Sequence, residues 1–174
     1  KVNLPALNVL AVPNFHTDIP AVFLADASEE YLSMLQYALE AIEPKATFLP
    51  TGSFKQAQKL WQGYSQNPEN APGIAFVGIS VGDGEGHMLI QHIKGCSPKT
   101  VTVLIADRPY HQLRREILSA HLRGNLFAFI EQKNVIKHLP QLWEAALERF
   151  HGTGGQFGSG PRISVDALPF KLFL

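Results

Sequence analysis

The positions best placed to carry chemistry come directly after two apolar runs, at Asp26 and in the glycine-rich loop that begins at Gly78. An apolar run that empties into a loop predicts the carboxyl end of a strand, where open α/β sheets place their sites. The loop, GISVGDGEG, contains neither a Lys-Ser/Thr pair nor a G-x-G-x-x-G register, and the histidines of the chain show no metal-binding spacing. The loop therefore lacks the residues that most site chemistry requires, and we expect neither a cofactor nor a metal there. Asp26 is as well explained by a loop-end carboxylate that caps the next helix as by a ligand.

The elements that must position this site alternate regularly along the chain. Short apolar or β-branched runs predict strands, and each is followed by apolar residues at helical spacing. Met88, Leu89 and Ile93 are expected to face the core from the third helix, and Pro140 to open the last helix at its first position. Connections this short predict right-handed crossovers and a parallel sheet with helices on both faces. The predicted strands are 21–25, 45–50, 74–77, 100–106 and 126–130.

Composition limits the functions open to the chain. Its 174 residues fit one domain, expected at 21–150, with an N-terminal extension at 1–20 and a glycine-rich linker plus an apolar segment at 151–174. Lys plus Arg equals Asp plus Glu at 15 each, which argues against nucleic acid and anionic membranes as partners. No run has the length of a membrane span, and the lone Cys96 suits a reducing compartment. We expect a cytoplasmic domain that binds neither nucleic acid nor membrane.

These strand ends resemble those of the receiver domain of bacterial response regulators. GISVGDGEG lies without gaps on the family's usual D-I-x-M-P-x-M-D-G, and AVFLADAS, VTVLIA and GNLFAFIEQ resemble its first, fourth and fifth strands. The resemblance covers about residues 21–150. It implies a flavodoxin-like (βα)5 doubly wound parallel sheet with strand order 2-1-3-4-5. The pocket that accepts phosphate in the family would comprise Asp26, Ala27, Gly78, Ile105, Glu131 and Gln132.

Nearly all the active residues of the family are replaced in this pocket. Gly78 stands where the resemblance places the phosphorylated Asp, and Ala27 replaces the second acid beside Asp26. Ile105 replaces the Thr or Ser that senses the phosphate. Glu131 replaces the invariant Lys, so an incoming phosphoryl group would meet negative charge. Phosphoryl transfer needs a nucleophile and a compensating cation, so the resemblance implies a degenerate member, a pseudo-receiver.

We therefore predict a non-catalytic signalling module within a larger regulatory protein, which acts through phosphorylation-independent docking. In the family, the fourth helix, fifth strand and fifth helix form the usual partner face, here from about His111 to Phe150. A protein partner, or a second copy of the chain, is expected on this face. The alternative is a domain that senses a small molecule or cofactor in the emptied pocket at the strand ends.

Overall fold

Six parallel strands form one sheet in the order β2-β1-β3-β6-β7-β8, and a two-stranded hairpin, β4-β5, stands apart from it. The computed structural model describes residues 18–115, 117, 126–152 and 171–173. The first five strands of the large sheet confirm the predicted order 2-1-3-4-5. The strands are β1 Val22–Ala25, β2 Phe48–Thr51, β3 Ile74–Gly78, β4 Ser80–Val81, β5 Gly84–Glu85, β6 Val101–Ala106, β7 Ala128–Glu131 and β8 Lys171–Phe173.

Four α-helices are bounded within the described residues: α1 Glu29–Ile42, α2 Phe54–Tyr64, α3 Gly86–Cys96 and α4 Val135–Phe150. The first two begin at serine caps, because the Ser28 and Ser53 side chains each accept a backbone N–H three residues later at 3.1 Å. In the segment that follows β6, where helical spacing of Leu113, Ile117 and Leu118 predicts a further helix, Leu113 and Ile117 are buried and Leu118 lies outside the described residues. In the part of the chain that the structure describes, no helix is long and apolar enough to span a bilayer.

Apolar side chains cover both faces of the sheet, which explains why the central strands are continuous apolar runs. In β1, Phe23 and Ala25 face one core, which packs against α2 and α3. Val22 and Leu24 face the other core, which packs against α1 and α4. The sheet is therefore doubly wound, as predicted. Packing in both cores keeps the parallel strands aligned, so that their carboxyl ends lie at the same edge of the sheet.

Two helix predictions were wrong. Pro140 lies inside α4, which begins at Val135, because Val135 and Leu139 are buried and continue the apolar stripe by a further turn. Met88 is 49% exposed, since the buried face of α3 is formed by Leu89 and Ile90 with Ile93. Strand limits also differ by a few residues, as in β2, where the predicted 45–50 is Phe48–Thr51.

The two outer strands of the sheet differ from its centre. Pro50 lies in β2 at one edge and is exposed, and proline is tolerated there because an edge strand has one side without ladder partners. At the other edge, the Lys171 amide donates to the Phe127 carbonyl at 2.9 Å and begins β8. Part of the apolar C-terminal segment thus docks on the domain as a sixth strand.

The glycine-rich loop contains a small antiparallel hairpin that the sequence did not predict. Gly82 has a φ of +59°, and a Cβ there would lie 2.8 Å from the Gly52 carbonyl oxygen. The Gly86 amide donates to the Ile79 carbonyl at 2.8 Å, and a Cβ at Gly86 would overlap the Gly78 carbonyl. Helix α3 therefore begins directly against the end of β3.

Candidate functional site

The predicted pocket residues meet at the carboxyl edge of the sheet. Gly78 at the end of β3 is the register partner of Ile105 in β6, and Ala106 is the partner of Glu131 in β7. The Ala27 amide, just after β1, donates to the Ser80 carbonyl at 2.9 Å. Ladder pairing and this loop contact bring these separated segments together.

Asp26 lies over Gly78. A Cβ built on Gly78 would overlap the Asp26 Oδ2 atom and approach its Cγ at 2.9 Å. The other oxygen, Oδ1, accepts the Ser28 backbone N–H at 2.9 Å, which holds the carboxylate beside the start of α1. The half-buried Asp26 carboxylate thus occupies the space that a side chain at position 78 would need. It also accepts the hydrogen bond of the Ser28 amide, which precedes the first residue of α1.

The environment of Asp26 disfavours its charged form. Partial burial raises the pKa of its carboxyl above the ordinary value of 3.8, and the negative charge of Asp107 raises it further. Hydrogen bonds from the Ser28 and Ala27 amides lower the pKa but do not reverse the shift. Asp107 follows β6 directly, as Asp26 follows β1, so the same rule of reading strand ends would have found it.

Tyr31 adds a second polar group to the corner of the site formed by Asp26, Ala27 and Gly78. Its side chain is buried, and within the described ranges its hydroxyl has no hydrogen-bond partner. Burial raises the pKa of this hydroxyl, and the charge of Asp26 raises it further. Sequence reasoning missed Tyr31 because the helical spacing of α1 assigns it to the first turn without showing which way its hydroxyl points.

Ile105 and Glu131 complete the predicted pocket, but Ile105 has no hydroxyl to sense a phosphate and Glu131 carries no positive charge to offset one. Ile105 is 3% exposed and packs in the core beneath α1 and α4. The Glu131 side chain is 13% exposed, and its Oε1 lies 3.7 Å from Lys133 Nζ. Lys133, which sequence reasoning also missed, is 78% exposed, so its positive charge lies at the rim and is screened by solvent.

A cavity of about 300 Å³ opens beside these residues, between the loops that follow β6 and β7. Glu131 and Gln132 line it, together with the ion pair in which Arg108 Nε donates to Asp107 Oδ1 at 3.0 Å. Asp26 and Gly78 do not line it. No group of three or more His, Cys, Asp or Glu residues that could hold a metal is found in the described ranges.

Comparison with known proteins identifies the fold but no family. No family model matches the sequence, and no curated protein matches it. Among solved structures, the signal receiver domain of an HD domain-containing protein from Pseudomonas fluorescens is similar, with a TM-score of 0.64 and 19% identity over 79% of this chain and 93% of that one. A CheY-like response regulator receiver domain from Methanospirillum hungatei gives 0.63 and 14% identity over 79% and 100%.

This chain has the receiver-domain fold. A third similar structure, the signal receiver domain of a diguanylate cyclase from Desulfovibrio desulfuricans, has a TM-score of 0.60 and 17% identity over 77% of this chain and 98% of that one. At identities this low, the likeness concerns the receiver fold alone. It agrees with the strand order and with helices on both faces of the sheet.

The raised pKa of Asp26 predicts a stability change for Asp26→Asn. A carboxyl whose folded-state pKa is raised contributes stability that is fully present below its unfolded pKa and is lost as the pH rises through the folded value. The amide cannot ionise, and its oxygen can still accept the Ser28 N–H. We expect the variant to be more stable than the wild type at pH 7, with the gain vanishing below about pH 3.8.

Urea unfolding across this pH range measures the difference. Asp26→Ala is the matched control, because it removes the charge and also the acceptor for Ser28, so its gain at pH 7 should be smaller than that of the amide. A wild type that is more stable than Asp26→Asn at neutral pH would show that the carboxylate is held in its charged form.

Proposed function

We propose that this chain is a receiver-like regulatory domain that acts by docking to a protein partner and does not accept a phosphoryl group. The observation that carries the proposal is the arrangement of Asp26 over Gly78. The glycine offers no nucleophile, and the neighbouring carboxylate fills the space in which one would stand. Because the fold is retained while this corner is closed, the external surfaces of the domain are the part left to transmit a signal.

The electrostatics of the corner support the same conclusion. Asp26 and Asp107 repel one another, and Glu131 adds a third carboxylate on the next strand. The nearest described cations, Arg108 and Lys133, are each paired with one of these acids. A phosphoryl group would therefore enter a region of negative charge without a cation free to stabilise its transfer.

Treatment with acetyl phosphate and magnesium tests the absence of phosphoryl transfer. Intact-mass measurement should show no added phosphoryl group, because Gly78 has no side chain to attack the donor. A receiver domain that keeps its phosphoacceptor Asp serves as the positive control. An added phosphoryl group that is lost in Asp26→Asn would place a working nucleophile at Asp26 and refute the proposal.

The docking surface that we propose includes the exposed side of α4. Ile136 is 54% exposed near the start of this 16-residue helix, so it presents a large apolar side chain that a partner could bury. The backbone of β7 is paired with β8 on its outer side, so a partner reaches α4 and its flanks rather than the edge of β7. A protein partner, or a second copy of this chain, would bury Ile136 there.

Substitution of Ile136 by Asp tests this surface. If Ile136 is buried in the complex, capture of the partner in a pull-down from cells of origin should fall about tenfold or more, since a buried charge in an interface is strongly unfavourable. Met88→Asp is the matched control, because Met88 is 49% exposed but lies on α3, at the opposite face of the sheet. Equal losses in both variants, or none in Ile136→Asp, would contradict the proposed surface.

A second candidate function is ligand sensing in the cavity between the loops that follow β6 and β7. Its volume of about 300 Å³ is at the small end of the range for ligand sites. If this candidate is correct, the purified protein should carry a chromophore or show a thermal shift with a small effector, and Gln132→Trp, which fills the cavity, should abolish that response. A colourless protein without such a shift leaves docking as the function.

A further inference from the structure

A larger pocket lies at the opposite, amino-terminal edge of the sheet. There α3 and α4 end, β6 begins at Val101, and Phe127 leads into β7. The pocket has a volume of about 440 Å³, within the range of small-molecule sites. It is separated from Asp26 by the length of the strands, so the carboxyl edge of the sheet does not account for it.

Basic side chains dominate its lining. They come from three segments: Lys94 from the last turn of α3, Lys99 from the following loop, and Arg149 with His151 from the end of α4. No Asp or Glu is among its described lining residues. A concave surface with several cations and no carboxylate raises the local concentration of anions.

Lys94 is fixed inside this group. Its Nζ donates to the carbonyls of Pro98 at 2.6 Å and Thr100 at 2.8 Å. Burial lowers the pKa of its ammonium to about 8, and the positive charge of Arg149 contributes to the decrease. The two cations therefore repel one another within the pocket, and an anion bound between them would offset that repulsion.

Arg149 is also positioned, in this case by an apolar wall. Its guanidinium carbon lies 5.3 Å from the centroid of the Phe127 ring, a cation–π arrangement that orients the planar group. Phe150 lines the same pocket, and its ring centroid lies 5.2 Å from that of His151. The pocket thus combines oriented cations with aromatic surface.

Basic residues near helix ends often serve only to offset the helix dipole. Two observations limit that explanation here. The terminal carbonyls of Leu147 and Arg149 already accept the backbone N–H groups of His151 and Gly152 at 2.9 and 3.1 Å. Lys99 lies beyond the end of α3, in the exposed loop. Lys94 bonds carbonyls of the loop beyond α3, and capping of terminal helix carbonyls does not account for Lys99 and Arg149.

We propose that this pocket binds a phosphorylated small molecule of about nucleotide size. The phosphate oxygens lie between Arg149 and Lys99, and Lys94 supplies a fixed positive charge behind them. Arginine suits this role because its planar fork makes paired hydrogen bonds to phosphate. The aromatic wall at Phe127 and Phe150 contacts the organic part of the ligand. Such a site gives the domain an effector input at the edge remote from Asp26.

Titration calorimetry of the full chain with ADP, pyrophosphate and adenosine tests the site. ADP should bind most tightly, pyrophosphate more weakly, and adenosine without measurable affinity, because charge provides most of the binding and the aromatic wall adds to it. Chemical-shift mapping by NMR should place the changes at residues 94–102 and 149–152. The affinity for ADP should fall when the salt concentration rises.

Two substitutions locate the contact. Arg149→Gln and Lys99→Gln should each weaken ADP binding about tenfold, as expected for the loss of one charge-assisted contact. Arg115→Gln and Lys59→Gln, which remove exposed cations outside the pocket, should leave the affinity unchanged. Lys99 is exposed, so its replacement does not disturb the fold, and the melting temperature of each variant checks this.

Three results would overturn the proposal: no binding of ADP or pyrophosphate, binding that the pocket variants leave intact, or equal weakening by the control variants, which would indicate a non-specific charge effect. Because Ile136 lies near the start of α4 and the pocket residues lie at its end, these results leave the proposed function untouched. Partner capture measured on the same preparations separates the two proposals: it should be lost in Ile136→Asp and retained in Arg149→Gln and Lys99→Gln.

Discussion

Burial of the central strands on both faces is the constraint on which this structure depends. β1, β3 and β6 can be fully buried only because α1 and α4 cover one face while α2 and α3 cover the other. Their parallel registers then place Asp26, Gly78 and Ile105 at one level. The arrangement of the corner is thus a consequence of packing in two cores, not of contacts among the corner residues themselves.

Within that frame, the absence of one side chain decides what the corner can do. Because Gly78 has no Cβ, the Asp26 carboxylate settles over it and is partly removed from solvent. The charge of Asp107 acts on the same carboxylate, and Glu131 lies at the end of β7 beyond it. A pocket arranged in this way is poorly suited to hold an anion. The pocket at the other edge is lined by basic side chains and by no described Asp or Glu, so the two edges of one sheet differ in their charges.

Much of this could be predicted from the sequence, and the parts that could not share a physical cause. Alternating apolar runs and helical spacings predict the parallel sheet, and the end of each run predicts Asp26 and Gly78 at one edge. The same rule applied to β6 would have added Asp107. The contact between Asp26 and Gly78 could not be predicted, because it depends on a side-chain rotamer. The basic pocket could not be predicted either, since Lys94, Lys99 and Arg149 converge only in three dimensions.

The outermost strands show how an open sheet avoids pairing with its neighbours in solution. Unsatisfied N–H and C=O groups along a free edge are a template for aggregation. On one side, Pro50 interrupts that template, because it has no N–H to donate. On the other side, β8 covers β7 and leaves as the new edge a strand of only three residues that opens on the exposed Lys171. A short edge strand of this kind offers another chain little length for strand pairing.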